Sequence, residues 1–61
     1  MTIEAIVYYE YLTVGKNGKK IWKKSKETIF VKTIEELKNW INAFRKKDFM
    51  RNVDVEIVGT K

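Results

Sequence analysis

Four residues, Gly15-Lys16-Asn17-Gly18, constrain this chain more than any others. Asn-Gly between two apolar-rich runs is a strong short-range hairpin signal, because a tight turn needs positive φ angles that Gly and Asn accept at little steric cost. The flanking runs suit strands. Residues 2–14 are rich in Ile, Val and Tyr, and residues 20–32 in Ile, Trp, Phe and Val with lysines interleaved. Together they predict a hairpin with strands of about 11–13 residues.

After the hairpin the period of the apolar residues changes. Ile34, Leu37, Trp40, Ile41 and Phe44 fall on one face of a 3.6-residue helix. Thr33 and Glu36 have the spacing of a capping box. Glu35 and Glu36 in the first turn and Arg45, Lys46 and Lys47 in the last complement the helix dipole. A helix over residues 34–47 is therefore expected, followed by a connection over 48–52. Val53, Val55 and Ile57 then alternate with Asp54 and Glu56, predicting a half-buried third strand that Gly59 ends. The order is ββαβ. With the third strand beside the first, the sheet runs 2-1-3 with all neighbours antiparallel. Residues 1–61 then form a single α+β domain, its helix packed on one face through Ile34, Leu37, Ile41 and Phe44.

Composition bears on what holds so small a domain together. The 61 residues include no Cys, His or Pro. A chain of this length buries only about 60% of its unfolded surface, so it needs a staple. Disulfides and the common zinc sites are excluded, which leaves oligomerisation. The usual nucleophile–base pairs are excluded too, and no cofactor or metal is expected. A 14-residue helix spans roughly 21 Å and a 13-residue strand roughly 43 Å, so the helix leaves apolar hairpin surface uncovered. Either the hairpin tip coils over the helix, or the surface packs against a second copy. The second arrangement, a homodimer, is expected.

The apolar runs are far shorter than the roughly 20 residues of a membrane span, and Glu4 interrupts the first of them. No membrane association and no export signal is expected, and a reducing, cytoplasmic setting is the default. Eleven lysines against two arginines, with abundant Ile and Asn, suggest an AT-rich genome.

The net charge of +5 is unevenly spread. Residues 15–32 hold seven lysines and one acid, a local charge of +6. A two-residue turn would pair even positions of the first strand with odd positions of the second. One face would then combine Tyr9 and Tyr11 with Trp22, Lys24 and Lys26, and Lys16, Lys19 and Lys20 would lie at the tip. Lysines attract phosphates, and aromatic faces stack on unpaired bases, so this surface is a candidate for nucleic acid or for an acidic protein. Lysines on an edge strand also deter aggregation without any ligand. The other face would gather Glu4, Glu10 and Glu27 near Tyr8, without the pocket or basic partner that acid–base chemistry requires.

The run from Tyr8 to Trp40, with Tyr8, Tyr9 and Tyr11, the turn Gly15-Lys16-Asn17-Gly18-Lys19-Lys20, then Lys23, Lys24, Lys26, Phe30, Lys32-Thr33, Glu36 and Trp40, resembles the arm-type DNA-binding domain of phage and transposon tyrosine recombinases. That resemblance implies a sheet laid in the DNA major groove. The family has three strands before its helix, whereas two are expected here, with a third after it.

Two further surfaces are candidates. Trp40 flanks the apolar helix stripe, near Phe49 and Met50, and is either core or, if exposed, an anchor for a protein partner. Arg45, Lys46, Lys47 and Arg51 form a second basic patch at the helix C-terminus, either solvated or phosphate-binding. The leading expectation is a non-enzymatic protein-binding module, a regulator or inhibitor encoded by a phage or mobile element and dimeric through its sheet. In fold alone, such a ββαβ dimer resembles small phage-encoded inhibitors of host enzymes. A nucleic-acid-binding domain is the alternative.

Overall fold

The computed structural model describes residues 1–61. Its elements are β1 (Ile3–Val14), β2 (Lys20–Val31), α1 (Ile34–Arg45) and β3 (Met50–Thr60). The sheet order is β2-β1-β3, with both pairings antiparallel, so the ββαβ fold is as expected. The helix joins the two outer strands across one face. No helix is long and apolar enough to cross a membrane.

The turn differs from the expected two-residue form. The Gly18 N–H donates to the Gly15 carbonyl at 3.0 Å, and the Gly15 N–H to the Lys19 carbonyl at 2.8 Å. Gly18 has φ +79°, and Asn17 is not in the positive-φ region. The loop is therefore Lys16–Gly18, a three-residue connection ending in a left-handed glycine. The extra residue changes the parity of the whole hairpin. Val14 pairs with Lys20, Leu12 with Trp22 and Tyr8 with Lys26, so even positions face even positions. A one-residue change of register exchanges the faces of every side chain on a strand. Tyr9 and Tyr11 accordingly share the helix-side face with Lys23, Ser25 and Glu27. Trp22, Lys24 and Lys26 lie on the outer face with Tyr8, Glu10 and Leu12.

The helix starts as its sequence dictates. The Thr33 hydroxyl accepts the Glu36 N–H at 3.1 Å, and the Glu36 carboxylate accepts the Lys32 N–H at 3.0 Å. It ends two residues early, at Arg45, because the Lys47 N–H turns to the Phe44 carbonyl. The chain then reverses quickly. The Met50 N–H bonds to the Lys47 carbonyl, and the Leu12 N–H to the Phe49 carbonyl, so β3 begins at Met50 and the expected 48–52 connection is shorter. Two bulges bend β3. Asn52 and Val53 together lie opposite Tyr9, with Asn52 at φ 53°, and Val58 is the extra residue between Ile57 and Gly59. Asn is among the few residues that accept the left-handed region readily.

Nine side chains are buried: Ile3, Ala5, Val7, Tyr9, Ile29 and Val31 from the sheet, and Leu37, Ile41 and Phe44 from the helix. Ile34 was expected among them but is 47% exposed. It lies on the margin of the stripe that faces β3, and a single helix has no neighbour to cover its flanks. Ile57, expected to be half-buried, is 50% exposed beside it for the same reason. The molecule measures 47 × 18 × 12 Å. Twelve helical residues span roughly 18 Å, so the hairpin runs on beyond the helix rather than coiling back over it.

Candidate interaction surfaces

The outer sheet face is organised in levels set by the register. Lys24, Glu10 and Arg51 share one level; Lys26, Tyr8 and Asp54 the next; Thr28, Ile6 and Glu56 the third. At the first level Glu10 accepts from Asn52 Nδ2 at 2.8 Å and from Arg51 Nε at 3.0 Å. These bonds, Asn52 first and Arg51 next, hold the Glu10 carboxyl below its ordinary range, aided by the positive charges of Arg51 and Lys24. The bulge at Asn52 thus brings its amide to the carboxylate on β1. The Arg51 guanidinium lies 4.2 Å from the Trp22 ring centroid, so one arginine ties β2 to β1 and β3. The Tyr8 hydroxyl donates to Glu56 Oε1 at 2.8 Å. That bond, followed by desolvation and the Glu56 charge, raises the phenol above its ordinary range.

The predicted lysine–aromatic surface is divided by the three-residue turn. Tyr9 belongs to the core, only 8% exposed, with its ring edge-on to Phe44 at 5.4 Å and its hydroxyl donating to Glu27. Tyr11 is half-buried beside it at 6.4 Å. Lys20, Trp22, Lys24 and Lys26 remain together on the outer strand of the opposite face, and Lys16 in the loop and Lys19 just after it are exposed. The expected carboxylate cluster is not formed, because Glu27 lies on the helix side and Glu4 and Glu10 on the outer face. The second basic patch is also split. Arg45, Lys46 and Lys47 are exposed at the helix end, but Arg51 is turned across the sheet onto Trp22 and Glu10. Lys47 instead reaches over the Phe44 and Phe49 rings at 5.6 and 5.7 Å.

On the helix side two exposed apolar areas flank the core. Trp40 is 47% exposed, packed edge-on to Phe44 at 6.2 Å and bordered by Glu36, Asn39 and Ala43. On the opposite flank a groove of about 440 Å³ runs between the helix and β3, lined by Ile34, Leu37, Ile41, Val55 and Ile57 with Lys38, Asn42 and Arg45 at its rim. Sequence reasoning did not single out this groove. Its only signal was that the stripe ending in Ile34 and the strand carrying Ile57 had no further element to cover them.

Comparison with protein-family models, with curated proteins and with solved structures returns no match for this chain.

Proposed function

We propose that this chain is a small non-enzymatic protein-binding module that acts as a homodimer and serves as a regulator or inhibitor of another protein. One observation carries the reading: a core of nine side chains is set against ten large apolar side chains that stay exposed. Five of the ten fall on two opposed surfaces. Tyr8 and Phe30 lie on the outer sheet face, and Ile34, Trp40 and Ile57 on the helix side. Exposed apolar surface of this kind in a small domain marks sites of association. Two separate surfaces let one molecule bind its own copy through one and a target through the other. The lysine- and isoleucine-rich composition is compatible with an AT-rich phage or mobile element. Sedimentation equilibrium tests the homodimer: the expected mass is twice the 7.3 kDa of the chain, and a monomer at every concentration overturns it.

A nucleic-acid-binding reading draws on a different observation. The one ion pair of the molecule joins Arg51 to Glu10, which leaves the lysines of β2 unpaired on and near the outer face. Against it, the Trp22 ring already carries the Arg51 guanidinium and offers less surface for a base. Titration with duplex and single-stranded DNA at about 50 and 200 mM salt separates the two readings, since phosphate binding weakens steeply with salt. Absence of binding at the lower salt removes the nucleic-acid reading.

A further inference from the structure

The geometry points to a specific homodimer, in which two outer sheet faces stack about a two-fold axis running along β1, so that Lys26 of each protomer meets Asp54 of the other. This rests on the homodimer reading above and adds its surface and contacts. Three observations support it. Lys26 and Asp54 are register partners of the same residue, Tyr8, so they flank it at one level, on opposite edges of the sheet. Neither makes an ion pair within its own chain. The charges are also sorted by strand: on the outer face β2 presents Lys20, Lys24 and Lys26, whereas the part of β3 beyond its first bulge presents Asp54 and Glu56.

Stacked sheets offer two simple two-fold axes, and charge distinguishes them. An axis across the strands at Tyr8 lays β2 over β2 and β3 over β3, and sets Lys26 against Lys26 and Asp54 against Asp54. An axis along β1 exchanges β2 and β3 while keeping each level opposite itself. Tyr8 then meets Tyr8 and Ile6 meets Ile6 on the axis, and Lys26 faces Asp54 twice. At the next level Thr28 faces Glu56 twice, a hydroxyl donor opposite a carboxylate. Phe30, 62% exposed, shares its level with Gly59 through Glu4, and nothing lies within 4 Å of the position a Gly59 side chain would occupy. The two-fold lays the Phe30 ring over that opening. The levels beyond are less favourable: at one end Glu4 meets Glu4 between the two Phe30 contacts, and at the other Glu10 meets Glu10 with Lys24 facing Arg51 on either side, so the contact is centred on the Ile6 and Tyr8 levels and ends at these two. Packed sheets are commonly rotated by about 30°, which at one strand spacing (about 4.8 Å) shifts the facing residues by only about 2.5 Å, within the reach of a lysine.

The test is a charge exchange at exposed positions. Lys26→Asp opposes two acids at each contact, and Asp54→Lys opposes two lysines. Each variant alone is expected to dissociate at least tenfold more readily than the wild type. An equimolar mixture of the two restores opposite charges at both contacts, and so does the double variant K26D/D54K. Both are expected to recover most of the loss. Sedimentation equilibrium over about 10 µM to 1 mM covers a contact of this modest area, with far-UV circular dichroism confirming that each variant is folded. If the wild type is a dimer and the single variants associate equally well, or if the mixture associates no better than either variant alone, this geometry is overturned and the homodimer stands. If the wild type is monomeric throughout, the homodimer reading itself fails.

Discussion

Gly18 sets the register of the hairpin through one backbone angle. At φ +79° an L side chain is strained even though no atom lies within 4 Å of its Cβ position. Gly18→Ala should therefore cost about 1–2 kcal/mol by urea unfolding, from backbone conformation alone. Gly59→Ala, in open space without a positive φ, should cost far less; equal losses would contradict this account. Glu10 controls a different response. Its pKa is lowered in the fold from an ordinary 4.5, so its contribution is fully present above that value and is lost as pH falls through the folded value. Thermal melts should show a fall in Tm on acidification below about pH 4.5 that Glu10→Gln reduces. Tyr8 acts in the opposite direction: its raised pKa means stability lost only as pH rises above an ordinary 10.0. The face of each tyrosine is not legible in the sequence, because the length of the turn decides it. Gly15-Lys16-Asn17-Gly18 is compatible with a two-residue and a three-residue loop, and only the positive φ of Gly18 without Asn17 decides between them.

The elements themselves followed closely from local signals. Thr33 and Glu36 marked the helix start, and alternation over Val53, Val55 and Ile57 marked the third strand, because caps and periodicity depend on near neighbours. Element margins and burial did not follow as well. β3 starts at Met50 because Phe49 and Met50 pair with β1, a contact remote in sequence. Ile34 fits the apolar stripe, yet it is exposed because no second helix exists to cover it. A contrast between two helix positions tests this packing. Leu37→Ala removes a buried side chain and should cost about 2–5 kcal/mol, enough to unfold much of so small a domain. Ile34→Ala, on the open flank, should cost well under half as much by the same urea measurement. Comparable losses would place Ile34 in the core.

At the scale of the whole molecule, the sheet has two unlike edges. β2 carries a row of lysines, which resists pairing with further strands, whereas β3 mixes acids with Val and Ile. The uncovered length of the hairpin was foreseeable from helix and strand rise alone. The groove beside β3 was not, because it arises from where the helix sits across the strands. Thr2 and Lys61 exchange both of their backbone hydrogen bonds, at 2.6 and 2.7 Å, so the two chain ends lie side by side at the end of the sheet opposite the loop. A circular permutant joined there by a short Gly-Ser linker and opened between Asn17 and Gly18 would read β2-α1-β3-β1. The former first strand then enters last, into the slot between two parallel neighbours already linked by the helix. If its circular dichroism and amide NMR spectra match those of the parent, the finished sheet specifies itself without hairpin closure. A permutant that stays unfolded would show that the closed Lys16–Gly18 loop supplies stability this sheet cannot lose.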